Sequence, residues 1–278
     1  MNIDIVIATS KDIEFSHFSL CYTIRSILCQ SIIPVNIFII LNGGIDIEKS
    51  KKILIKYFGS LIKIIEIKSC EKNISKARNI GARSGNSDII VFLDDDVILG
   101  NNEVLKKIKD KMSYNDFLCG AKRFWSDIDW YLSCDYDFPI SHICRILKSQ
   151  SYLPISIERL SGERSYNDYS FIGHCGAIQR KVFEQLDGFD ELYEGWLYQD
   201  TDLMMRLCVN GFNYEILADS DIYIYHLSHS VDKEKYRSTN EKRYQDKQQK
   251  MNIKFYLNHF FGIFSHQDKY LGIFQKYE

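Results

Sequence analysis

Apolar runs of strand length alternate with helical segments over residues 1–112, and this alternation constrains the fold more than any other feature. Residues 3–9, 35–41, 61–67 and 88–93 are short runs rich in Ile, Val and Leu, each read as a strand. Residues 18–30, 46–58, 74–84 and 101–111 read as helices, with Leu20, Ile24, Ile27 and Leu28 on one side of the first. Ser75 is expected to cap the third. Strands alternating with helices imply a parallel, doubly wound sheet. Such sheets bind ligands beyond the carboxyl ends of their strands. Those ends carry Thr9 and Ser10, Asn42 to Gly44, and Asp94 to Asp96, so polar and acidic residues collect where a nucleotide would sit.

With 45% hydrophobic and 14% aromatic residues, the 278-residue chain can build a sizeable core and is not globally disordered. A net charge of −2 gives no reason to expect a nucleic-acid partner. Eight cysteines (21, 29, 70, 119, 134, 144, 175 and 208) contain no C-x-x-C pair, which argues against a zinc or redox motif and for reduced, mostly buried thiols. A strand begins at Ile3, leaving no room for a signal peptide. The most apolar stretch, residues 32–41, contains Pro34 and Asn36 and has about half the length of a membrane span. The expectation is a cytoplasmic protein, soluble or peripheral at the inner face of a membrane.

Residues 113–170 are aromatic and polar with weak periodicity, and read as an irregular insertion that helps shape an acceptor pocket. Regular signals return with a strand over 171–178, helices near 181–186 and over 200–210, and strands over 213–217 and 222–226. Residues 232–250 are strongly charged and the tail beyond them is aromatic. The organisation expected is a catalytic domain over 1–230, divided into a nucleotide-sugar half (1–112) and an acceptor half (113–230), then an extension over 231–278. That extension suits either peripheral contact with anionic lipid or packing onto the catalytic domain or a second subunit.

Asp94, Asp95 and Asp96 end a buried strand, where three carboxylates repel one another and desolvation is costly. A hard divalent cation, Mg²⁺ or Mn²⁺, relieves that cost and leaves positions open for phosphate. The alternative is a solvated acidic turn. Upstream, Arg78 suits either a pyrophosphate or bracing of the acidic cluster. In Gly195-Trp196-Leu197-Tyr198-Gln199-Asp200, an aromatic after glycine can wall a sugar site. Asp200 opens a helix whose dipole favours the ionised carboxylate, a group fit either to take a proton from a hydroxyl or simply to cap the helix. His226 and His229 close the last strand as candidate metal ligands.

The stretch I-S-K-A-R-N-I-G-A-R-S-G-N-S-D-I-I-V-F-L-D-D-D-V, residues 74–97, resembles the nucleotide-sugar half of GT-A-fold glycosyltransferases, especially family-2-like bacterial enzymes. G-F-D-E-L-Y-E-G-W-L-Y-Q-D-T-D-L-M-M-R-L, residues 188–207, resembles the acceptor-side motif of galactosyltransferases and chondroitin-polymerase domains. The resemblance covers residues 3–230. It implies a Rossmann-like, mostly parallel sheet with helices on both faces and an acceptor-side subdomain. It also implies a metal held by Asp94 and Asp96, with His226 and His229 as further ligands. Thr9, Asn42, Arg78, Asp94 and Asp95 fall on the donor, Asp200 on the catalytic base, and Trp196 on the sugar pocket. The chain departs from the family at Leu197, Tyr198 and Gln199, where glycines and a Glu are usual; Gln199 can hydrogen-bond an acceptor but cannot be a base. Asn42-Gly43-Gly44 likewise replaces an acidic N-D-G.

The activity implied is inverting transfer of a hexose or N-acetylhexosamine from a UDP-sugar, with Mn²⁺ or Mg²⁺, to the hydroxyl of a glycan or lipid-linked glycan in bacterial surface polysaccharide synthesis. A metal-dependent nucleotidyltransferase is the competing class, but its glycine-rich phosphate loop is missing at Thr9-Ser10-Lys11-Asp12. A peptide or protein acceptor is a further alternative.

Overall fold

The computed structural model describes residues 1–9, 13–43, 47–68, 72–119, 121–126, 145, 148, 174–195, 197–217, 221–227 and 234–250. Four strands and three helices alternate first: β1 (Ile3–Thr9), α1 (Ile13–Leu28), β2 (Asn36–Asn42), α2 (Ile47–Phe58), β3 (Lys63–Ile67), α3 (Ile74–Arg83) and β4 (Ile89–Asp94). They give a parallel sheet in the order β3-β2-β1-β4, with Val6 level with Phe38 on one side and Phe92 on the other.

Both faces of this sheet are covered, so its strands read as continuous apolar runs rather than alternating ones. Ile5, Ile7, Ile39 and Val91 pack with Leu20, Ile24 and Ile27 of α1 and Leu54 of α2. Val6, Phe38, Ile40 and Phe92, one position out of phase, pack with Ala77 and Ala82 of α3. A Cβ on Gly81 would lie 2.5 Å from Val6 Cγ1, so the missing side chain is what lets α3 lie this close to β1.

After β4 come β5 (Val97–Leu99), α4 (Val104–Lys111), β6 (Phe117–Cys119), β7 (Lys122–Ser126), β8 (Cys175–Gln179), α5 (Arg180–Gln185), α6 (Gln199–Val209), β9 (Tyr214–Ile216), β10 (Tyr223–Leu227) and α7 (Glu234–Lys250). β8 joins β4 antiparallel and carries β6 and β9 beyond it, making seven strands. β5, β10 and β7 form a second, three-stranded sheet. The fold is the mixed α/β class expected, with a mostly parallel central sheet.

Local expectations are corrected in three places. Asn73, not Ser75, caps α3: its side-chain oxygen accepts from the Lys76 amide at 2.9 Å. Helix α1 starts at Ile13 rather than at residue 18. β5, β6 and β7 were not anticipated, and the last two fall within the stretch read as irregular; strands of three to five residues are too short to show alternation. Cys21, Cys119, Cys175 and Cys208 are free and buried, and burial pushes the Cys21, Cys175 and Cys208 thiols up to about 12. No helix among the described residues is long and apolar enough to cross a membrane.

Candidate functional site

The carboxyl ends of β1 and β4 lie side by side, because Ala8 is in register with Asp94. Thr9 therefore reaches across, its hydroxyl donating to Asp95 Oδ2 at 2.5 Å. Both side chains are buried. Asn42, at the end of β2, is buried too, and its Oδ1 has no hydrogen-bond partner among the described residues.

Asp94 is engaged from two sides. Arg78, on α3, donates through Nη2 to Asp94 Oδ1 at 3.0 Å and through Nη1 to Asp200 Oδ1 at 2.8 Å. His174, just before β8, places Nδ1 3.2 Å from Asp94 Oδ2, and Arg123 of β7 lies against its Nε2. Burial pushes the Asp94 carboxyl up, but the His174 hydrogen bond and the Arg78 charge outweigh it and hold the group at about 2. Asp94 is therefore an anion at every ordinary pH.

Asp96 is buried beside β10: its backbone oxygen accepts from the Leu227 amide at 2.9 Å, and its Oδ1 lies 3.4 Å from His226 Nε2. Burial holds the His226 imidazole down at about 4 despite the Asp96 charge beside it. A neutral imidazole keeps a lone pair for a cation. Asp94, His174 and His226 each present a ligand atom within 4.8 Å of the others. One carboxylate and two imidazoles suit a borderline divalent ion, so the donor set fits a metal. The sequence pointed to Asp94, Asp96, His226 and His229; His174 was missed. Its signal was the antiparallel pairing of β8 on β4, which sets His174 one step beyond the Leu93–Cys175 pair and so opposite Asp94. His229 and Trp196 lie outside the described residues.

Helix α3 ties the first acidic cluster to the second motif. Asn79 donates to the Phe189 carbonyl at 2.8 Å and accepts from its amide at 2.9 Å, and Asn73 donates to the Glu191 carbonyl at 2.6 Å. Gly195 donates from its amide to the Lys72 carbonyl at 3.0 Å. From there the chain turns into α6 through Leu197 (φ 82°) and Tyr198 (φ 70°), two non-glycine residues in the left-handed region. Each such residue costs on the order of 1 kcal/mol and persists only where its surroundings over-determine it. The turn sets Asp200 on the first turn of α6, facing Arg78. Gln199 is buried, and its amide nitrogen donates inward to the Gly195 carbonyl at 2.8 Å.

Helix α7 packs on this same loop. Asn240 donates to the carbonyls of Glu194 (2.7 Å) and Leu197 (3.3 Å) and accepts from the Glu194 amide (3.3 Å). The Tyr244 ring stacks on Tyr198 at 5.2 Å. Lys247 reaches Asp190 and the fully buried Asp202, each at 2.6 Å, and Arg243 reaches Asp190 at 2.7 Å. Asp202, two residues on from the candidate base, thus holds helices together.

Comparison with known proteins adds the family context. The profile of glycosyl transferase family 2 matches residues 19–187, and that of the N-terminal domain of galactosyltransferase matches residues 155–230. No curated protein sequence matches. Among solved structures, residues 1–349 of S. aureus TarS superpose at TM-score 0.56 and 15% identity over 82% of this chain, which spans 60% of that one. The same TarS fragment in complex with UDP-GlcNAc gives TM-score 0.61 at 14% identity, over 97% of this chain and 76% of that one. The mannosyltransferase PcManGT of Pyrobaculum calidifontis, in complex with GDP-Man and Mn²⁺, gives TM-score 0.53 at 13% identity, over 87% and 60%. At these identities the likeness speaks to fold.

Proposed function

The chain belongs to glycosyl transferase family 2, and from that premise we propose that it transfers a hexose or N-acetylhexosamine from a UDP-sugar to an acceptor hydroxyl with inversion. The observation that carries the reading is Arg78, whose single guanidinium joins the donor-side Asp94 to the acceptor-side Asp200. Inverting displacement needs a leaving-group site and a base close together, and the two motifs meet at Arg78. Thr9, Asn42 and Asp95 line the strand ends on the donor side, and UDP-GlcNAc in TarS supports a nucleotide-sugar donor.

Asp94, His174 and His226 are the groups that would hold a divalent cation, with Asp96 behind His226. Bound there, such an ion would supply Lewis-acid neutralisation of charge on the departing diphosphate. Asp200 is the base that takes the acceptor proton, and Arg78 fixes its orientation. Residues 1–230 form the catalytic unit. An acceptor on a lipid-linked surface glycan fits a protein working peripherally at the cytoplasmic face of a membrane.

The test is an Asp200→Asn protein assayed with UDP-sugars and Mn²⁺. Donor binding by calorimetry should persist while turnover falls about 10²–10⁴-fold, the usual worth of a general base. An Asp200→Asn enzyme that turns over normally would remove Asp200 from the mechanism.

A further inference from the structure

The charged helix after the catalytic region is the element that the two motifs leave unexplained. α7 is overwhelmingly polar, so burial of an apolar stripe does not explain its docking. Instead its side chains hold the loop that delivers Asp200 and the carboxylates on either side of it, Asp190 and Asp202. Asn240, itself 1% exposed, satisfies the Glu194 amide and carbonyl and reaches the Leu197 carbonyl. Four residues on, Tyr244 lies flat against Tyr198. Three residues further, Lys247 holds Asp202 of α6 itself. These are the i, i+4 and i+7 positions of one helix face. On the other side the loop rests on Lys72 through the Gly195 amide. Leu197 and Tyr198 keep their left-handed backbone between these two supports.

We infer that α7 is part of the active site's scaffold, with Asn240 and Tyr244 as positioning residues. They hold the strained backbone of Leu197 and Tyr198 in the conformation that presents Asp200 to Arg78. The inference rests on the reading of Asp200 as the base. It requires that loosening the turn disturb the acceptor side, where Asp200 sits, more than the donor side at the ends of β1 and β4, where Thr9 holds Asp95.

The experiment compares full-length wild type, Asn240→Ala, Tyr244→Ala and, as a control on the exposed face of the same helix, Thr239→Ala. Hydrogen exchange of the backbone is measured alongside transfer kinetics with a UDP-sugar and Mn²⁺. The expected result is faster exchange confined to residues 194–200 in the two inner variants. Their kcat should fall on the order of 10–100-fold, as for a displaced catalytic group, with donor KM unchanged and Thr239→Ala like wild type. Unaltered exchange at 194–200 would overturn the proposal. So would a uniform rise across the central sheet with weakened donor binding, which would make α7 a general stabiliser. A wild type inert toward every UDP-sugar would instead sink the functional reading, while the exchange comparison would still decide whether α7 holds the turn.

Discussion

Arg78 and Asp200 are 122 residues apart in sequence and 2.8 Å apart in the fold. The Arg78 side chain is 5% exposed, and a second guanidinium nitrogen holds Asp94, so one side chain braces the halves of the molecule. Removing it leaves two carboxylates facing each other. Fully buried pairs broken this way lose about 3–5 kcal/mol; with Asp200 partly in solvent, about 1–3 kcal/mol is expected for Arg78→Ala. Arg78→Lys should restore only part of the loss, because a single ammonium lacks the planar guanidinium whose two separate nitrogens span Asp94 and Asp200. Urea unfolding midpoints measure both, and an Arg78→Ala protein as stable as wild type would mean the brace holds nothing.

The candidate metal centre separates two ligand sets. The sequence points to Asp94, Asp96, His226 and His229, whereas the ligand atoms that gather among the described residues are those of Asp94, His174 and His226. Losing a partner that only orients a ligand typically weakens metal affinity by about 10–100-fold, and losing a direct ligand should cost more. Mn²⁺ titrations followed by electron paramagnetic resonance should therefore show a large effect for His174→Ala and a smaller one for Asp96→Ala. The reverse order would restore the motif's own set. Chelation should abolish metal-dependent UDP binding and leave the melting curve of the sheet in place.

Much of this was legible beforehand, and the reasons are physical. Strands buried on both faces write themselves as apolar runs, so β1, β2 and β4 with its acidic end were plain. Asp200 stood out because its motif is local. His174 did not, because its meaning depends on β8 pairing with β4 across 80 residues. The role of α7 was equally hidden: its charges look like a solvated surface until Asp190 and Asp202 are seen beneath them. The left-handed turn at Leu197 and Tyr198 sits where glycines are usual, and bulky residues there signal outside support only after the support is known.

Acid should loosen α7 through Asp190. Burial raises this carboxyl, but the hydrogen bond from Lys247, with those of the Leu192 amide and Arg243, holds it below its ordinary value of 3.8. The folded state therefore binds the proton less readily than the unfolded one. The associated stability is complete above 3.8 and disappears as pH falls through the lower folded value. The gap in urea midpoint between wild type and Asp190→Asn should be constant from pH 7 to 5 and narrow only below that range. A gap that closes near pH 6 would point to a histidine instead.

At the opposite end of the sheet, Asp4 is completely buried in β1, roughly 16 Å along the strand from Thr9 at 3.3 Å per residue. Its carboxylate accepts from Arg180 Nη2 at 2.9 Å, the Ser87 amide at 2.9 Å and hydroxyl at 2.8 Å, and Asn36 Nδ2 at 2.7 Å. Arg180 in turn donates to the Ser87 carbonyl at 2.7 Å and the Ala82 carbonyl at 2.5 Å, stitching the end of α3 to α5. Breaking such a pair from one side strands a buried charge. Arg180→Met should therefore cost about 3–5 kcal/mol. Asp4→Asn should cost less, since the amide keeps an acceptor for Ser87. In the double variant the costs should not add: with no carboxylate left to strand, the coupling should reach about 0.5–3 kcal/mol. Donor affinity measured well below the melting temperature should be unchanged in all three, because the site lies at the other end of the strands. Additive losses would show that Asp4 and Arg180 are stabilised by their other partners rather than by each other.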